Sequence, residues 1–144
     1  DTMWFHEKVT IPNNELFKPY KTRFIPRKDR FSDTSQYAVL YIYRPGKLTN
    51  SLADFLVYFD ENIMWVAHNN SGQLFKIFKE GKYRIKSRLM KDEDYIDVDF
   101  RFGQTYYIKS KIKWGFYRGN NFKLEMEEMK PEKGQKEFDE VDYR

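Results

Sequence analysis

Cysteine is missing from all 144 residues. Its absence excludes disulfides, thiolate metal sites and a cysteine nucleophile, so stability has to come from the core. A chain of about 150 residues buries roughly 68–70% of its unfolded surface, enough to fold without staples. Histidine is almost as scarce, with only His6 and His68. Nucleophilic catalysis needs a base beside the nucleophile and a third group orienting that base. With so few histidines and no Gly-x-Ser-x-Gly element, the expectation is no catalytic residues and no cofactor. No apolar run approaches the roughly 20 residues of a membrane span, and mean hydropathy is −0.84. No basic-then-apolar segment opens the chain. It starts at Asp1 rather than Met and is read as processed or cut, which leaves export open.

Aromatic residues are abundant, at 19% of the chain, with 11 Tyr and 13 Phe. Aromatic and β-branched side chains suit a pleated, half-buried surface. The run 37–43, YAVLYIY, is too short for a typical helix and apolar nearly throughout, which predicts a central strand covered on both faces. Further strands are predicted at 55–59, 63–67 and 73–78, separated by Asp60-Glu61-Asn62 and by His68 to Gly72. Tyr83, Ile85, Ser87 and Leu89 alternate with Lys82, Arg84, Lys86 and Arg88. Ile96, Val98 and Phe100 alternate with Tyr95, Asp97, Asp99 and Arg101. Period two places each set on its own face. The expected hairpin turns through Lys91-Asp92-Glu93-Asp94, with Leu89 opposite Ile96, Ser87 opposite Val98 and Ile85 opposite Phe100. That register also sets Arg88 against Asp97 and Lys86 against Asp99. Alternating strands continue at 104–112 and 122–127, and Phe138 and Val141 share one side of a short terminal helix.

The expected fold is all-β, an antiparallel β-sandwich spanning 37–144 and closing with that helix. Residues 1–36 contain Pro12, Pro19 and Pro26 and show no clean period. They are expected to form an extended arm or linker, with some of its aromatics packed on the domain.

The net charge of +4 is unevenly spread. Lys18, Lys21, Arg23, Arg27, Lys28 and Arg30 face only Asp29 within Lys18–Arg30, a local net of +5. These six bases form a candidate contact for anionic headgroups or another polyanion. Asp92, Glu93 and Asp94 lack the spaced ligands and glycine of a calcium loop and are expected to be a solvated hairpin tip, with no metal bound. A basic stripe at Lys82, Arg84, Lys86 and Arg88 suggests single-stranded nucleic acid. The facing aspartates neutralise half of it, so nucleic acid ranks low. Tyr107, on the polar face of its strand, is the leading candidate for a ligand or partner surface, with Trp114 and Tyr117.

The order of several elements adds a further indication. Tyr41-Ile42-Tyr43-Arg44-Pro45 is followed by Val57-Tyr58-Phe59-Asp60 and Phe78-Lys79-Glu80-Gly81-Lys82-Tyr83. Gly103-Gln104-Thr105-Tyr106-Tyr107-Ile108 and Gly134-Gln135-Lys136-Glu137-Phe138 come next. Across residues 37–141 the chain resembles a family of small bacterial envelope lipoproteins, catalogued as a domain of unknown function. It departs from that pattern at Glu80-Gly81-Lys82, where Pro-Gly-His is frequent, and at Glu61, where Gly is frequent. The resemblance implies an immunoglobulin-like or PEGA-like sandwich, export, a lipid anchor ahead of Asp1, and a periplasm-facing or surface-exposed location rather than a cytoplasmic one. It implies no catalytic residues. The leading expectation is a non-enzymatic envelope domain that binds a protein or scaffolds an assembly, in contact with an envelope partner or the membrane surface. The alternatives are a glycan- or polyanion-binding domain and an enzyme with an unrecognised site.

Overall fold

A computed structural model describes residues 11, 13–20, 36–46, 53–117 and 119–143, and the side chains of 116, 117 and 120 lie outside that description. The strands are β1 (Phe17–Pro19), β2 (Ala38–Arg44), β3 (Phe55–Phe59), β4 (Asn62–Ala67) and β5 (Ser71–Ile77). They continue with β6 (Gly81–Leu89), β7 (Asp92–Phe100), β8 (Thr105–Tyr117) and β9 (Asn120–Met129). Helix α1 (Pro131–Asp139) and β10 (Asp142–Tyr143) close the chain. The larger sheet runs β1-β5-β2-β8-β9, with β10 also on β5, and the smaller runs β4-β3-β6-β7. The two sheets pack as the expected β-sandwich with its C-terminal helix.

Alternation places Leu40 and Ile42 of β2 against Phe55, Val57 and Phe59 of the facing sheet, together with Phe75, Ile85, Phe100 and Ile108. The odd-numbered residues of β2 lie in a second apolar cluster on the outer face of the larger sheet, beneath α1. Val39 and Tyr43 meet Leu74, Tyr107, Met129 and Phe138 there. β2 is thus covered on both faces, as its apolar run predicts. It lies antiparallel to β5 but parallel to β8, so the larger sheet is mixed rather than purely antiparallel.

One further expectation needs correction and another gains detail. Part of the N-terminal segment packs on the sandwich as a strand of the larger sheet. Asn14 Oδ1 accepts the amide of Leu16 at 2.7 Å, turning the chain into β1, which pairs with β5. Phe17 then enters the core, its ring 5.0 Å from Phe59 and 6.0 Å from Phe75. The β6–β7 hairpin is also tighter than expected. Ile85 faces Ile96, Tyr83 faces Val98 and Arg84 faces Asp97, a shift of four residues from the predicted register. Met90 adopts a positive φ of 57° at the resulting two-residue turn, Met90-Lys91. Every side chain keeps its predicted face, because four is a multiple of the strand period. The ion pairs differ accordingly. Arg84 meets Asp97 at 3.0 Å, Arg101 meets Asp99 at 2.8 Å, and Lys86 and Arg88 share Glu93.

Asp92 and Asp94 are therefore strand residues and not a solvated loop. Their carboxylates reach the other sheet, where Asp92 Oδ2 accepts the amide of Leu124 at 2.8 Å and Asp94 Oδ2 that of Met126 at 2.7 Å. A charged acceptor strengthens a hydrogen bond to a backbone amide. These two satisfy donors on the free edge of β9 and clasp the sandwich along its β7–β9 flank.

Helix α1 is held by polar contacts around its apolar seam. Tyr43 Oη donates to Glu137 at 2.6 Å, Lys109 Nζ lies 3.2 Å from the same carboxylate, and Tyr107 Oη donates to Gln135 at 2.7 Å. Burial alone would raise the Glu137 pKa. The hydrogen bonds from Tyr43 and Lys109, with the charges of Lys109 and Lys133, outweigh burial and hold it below the usual glutamate range. A depressed folded-state pKa contributes stability that is complete above the unfolded value, about 4.3, and is lost as pH falls through the folded one. Acidification below about pH 4 is therefore expected to loosen α1, followed by the near-ultraviolet circular dichroism of the tyrosines beneath it. Glu137→Gln should flatten that acid limb, and an unchanged limb in the variant would assign it to other groups.

Candidate functional site

Among the described residues the flank opposite the clasp is open. β4 pairs only with β3, so among the described residues its outer edge has no strand beside it. Within β4 the register shifts between Val57 and Tyr58, so that Trp65 pairs with Val57 and Ile63 with Tyr58. Met64 is the additional residue of a bulge, which re-aims side chains locally. Successive residues Met64 and Trp65 are in consequence both buried, at 1% and 3% exposure. Together with Phe17 and Phe75 they line a groove of about 670 Å³ between β4 and the β1–β5 edge. Its remaining walls carry Asn13, Asn14, Gln73, Glu15 and Lys18, alongside Ile11 and Pro19. An apolar lining with a few amide groups and charges of both signs suits an uncharged, extended ligand better than a polyanion.

The residues singled out in the sequence fall elsewhere. Of the six bases of the arm, Lys18 lines this groove, with its ammonium 5.9 Å from the Phe78 ring centroid. Lys21, Arg23, Arg27, Lys28 and Arg30 lie outside the described residues. Tyr107 is not a surface residue. It is 7% exposed, stacks on Tyr41 at 4.6 Å, and lies under α1. The polar face of β8 was expected to meet water, but the helix covers it there, and burial pushes the Tyr107 phenol up to about 12. Trp114 is exposed, at 43%, with its ring 5.9 Å from Phe122 in a T-shaped pair. The Tyr117 side chain lies outside the described set.

At one end of the sandwich, Arg44 is fully buried and joins the two sheets. Its Nη1 donates to the carbonyls of Ala53 and Ala67, both at 2.7 Å, and its guanidinium lies 4.8 Å from the Phe55 ring centroid. Desolvation lowers its pKa to about 10, against the opposing pull of Asp54. Asp54 Oδ2 also contacts His68 Nδ1 at 2.7 Å. A hydroxyl stands close by, but Ser71 Oγ donates to the backbone oxygen of His68 at 2.6 Å, not to its imidazole. This wiring ties down a turn and gives the serine no base.

Among the described residues no group of three or more histidine and acidic side chains is disposed to hold a metal, and no helix is long and apolar enough to cross a membrane. Comparison with protein-family models, curated proteins and solved structures returns no significant match.

Proposed function

We propose that the chain is a non-enzymatic cell-envelope domain that binds a protein partner, receiving an extended segment of it along the β4–β1 flank. The observation that carries this reading is the groove beside β4, an edge that no strand among the described residues covers, floored by Met64, Trp65 and Phe75. Extended peptides bind such edges by offering main-chain hydrogen bonds, while alternate side chains enter pockets. Asn14 Oδ1 and Gln73 Nε2 are engaged with Leu16 and Tyr20, so the Asn13 amide, Asn14 Nδ2 and Gln73 Oε1 are the polar groups for a main chain, and the apolar floor supplies the pocket. Location in the envelope rests on the family resemblance of 41–45 and 103–108. The Asp54–His68–Ser71 wiring favours a binding role over hydrolysis.

The test is selection of displayed peptides on the folded protein, followed by mapping of the winners through amide and indole chemical shifts. Selected peptides should have apolar residues at alternate positions and shift the Trp65 indole and the Gln73 side-chain amide. Asn13→Trp, a change on the exposed rim, should weaken them by about tenfold or more, which corresponds to about 1.4 kcal/mol. Peptides that instead map to the outer face of β6 and β7, or a library that yields no binder, would remove the reading.

A further inference from the structure

The β8–β9 hairpin extends past its neighbours. Among the described residues β2 pairs with β8 between Thr105 and Lys109, whereas the β8–β9 ladder continues to Tyr117 and Asn120. From Thr105 to Leu124 the sequence holds five bases and no acid. Lys113 and Lys123 face each other directly across the ladder. Like charges in that position are unfavourable. Glu125, 3.4 Å from Lys113, offsets the repulsion in part. On the opposite face of the hairpin, the next pair is Trp114 and Phe122. The bonds from Asp92 to Leu124 and from Asp94 to Met126 bring the Met90–Lys91 turn to the same end of the sandwich. Met90 is 55% exposed, and Lys91 and Lys123 are exposed as well.

From this juxtaposition we infer that the end of the sandwich bearing Met90, Trp114, Lys113 and Lys123 docks onto an anionic phospholipid bilayer. Trp is favoured at the headgroup level of membranes, where its ring is half in hydrocarbon and half in water. Each lysine near an anionic surface contributes about 1 kcal/mol, and lysine stems extend along the apolar boundary while the ammonium stays at the phosphates. An anionic surface also relieves the repulsion between Lys113 and Lys123. Single-stranded nucleic acid is the weaker fit, because it needs successive exposed flat faces for stacking, and here the Trp114 and Phe122 rings meet edge to face at 63°. This end is separate from the β4–β1 groove, so the inference is independent of the peptide-binding reading.

Vesicle sedimentation with the full chain tests it. Vesicles of phosphatidylcholine mixed with phosphatidylglycerol should bind, those of phosphatidylcholine alone should not, and added salt should release the protein. Lys123→Glu changes the local charge by two units and should weaken binding about thirtyfold. Trp114→Ser should weaken it about tenfold. Lys82→Glu, at the opposite end of β6, should leave it unchanged. Brominated lipid should quench a component of the fluorescence that Trp114→Phe lacks. Circular dichroism establishes that each variant is folded. Binding that survives both Lys123→Glu and Trp114→Ser, equal binding to neutral vesicles, no binding, or binding to oligothymidine without binding to vesicles would each overturn the inference.

Discussion

Arg44→Met is expected to lower the unfolding free energy by about 3 kcal/mol. Methionine fills a similar volume and avoids the desolvation of a charge, and on that ground alone the change would be favourable. Replacing buried ion pairs by apolar residues is often neutral or stabilising when both partners are replaced. Here the partners are the main-chain carbonyls of Ala53 and Ala67, which no substitution at position 44 removes. Each buried carbonyl left without a donor costs about 1–3 kcal/mol. Two of them outweigh the gain from removing the guanidinium. In a domain of this size the loss should appear as a fall in Tm of about 10 °C and a proportionate fall in the urea midpoint. Arg44→Lys should recover only part of it, since an ammonium is more strongly hydrated than a guanidinium and costs more to bury. A variant within about 0.5 kcal/mol of wild type, the ordinary range of neutral surface changes, would show that the two carbonyls find other donors.

The second large effect is expected at Gly134, and there two arguments predict opposite signs. Glycine inside a helix costs roughly 1 kcal/mol relative to alanine, so helix propensity predicts that Gly134→Ala stabilises α1. Packing predicts the reverse. A Cβ at position 134 would stand 2.5 Å from Tyr107 Cβ and 2.6 Å from Tyr107 Cγ. Neither is the far end of a flexible side chain, and the ring is itself pinned between Tyr41 and the helix. Overpacking a site that cannot yield costs about 1–3 kcal/mol and forces the helix off the sheet. A net destabilisation of about 2 kcal/mol is expected once the 1 kcal/mol gain in propensity is set against packing and the loss of the contacts α1 makes through Phe138. Faster hydrogen exchange confined to α1 and β10 would accompany it. Stabilisation by Gly134→Ala would mean that the helix does not approach Tyr107 this closely in solution.

What could be read from the residues alone was decided by parity, and what could not was decided by register and by distant partners. The alternation in Tyr83–Leu89 and Ile96–Phe100 identifies which side chains face inward, and the structure keeps every one of those assignments. Parity is blind to a slip of four residues. The turn settles that choice, and Met90-Lys91 has no glycine or asparagine to advertise a positive φ. Asp92 and Asp94 resemble a solvated tip when only neighbours in sequence are considered. Their role as acceptors for Leu124 and Met126 depends on contacts 32 residues away. Tyr107 is buried for a related reason. It lies on the polar face of β8, but α1 turns part of that face into a second core. The β4–β1 groove had no sequence signal, since the bulge that buries both Met64 and Trp65 breaks the period that marks a strand. Trp114 lies toward a hairpin end and stays exposed.

The sandwich is clasped along β7–β9 and, among the described residues, open along β4. Residue-resolved hydrogen exchange on the unliganded protein measures that asymmetry directly. The amides of Leu124 and Met126, although at a sheet edge, should exchange as slowly as those of central β2, and should speed up in Asp92→Asn/Asp94→Asn. The β4 amides that point away from β3 should exchange orders of magnitude faster, as unpaired edge groups do. Equal protection of the two edges would contradict the account.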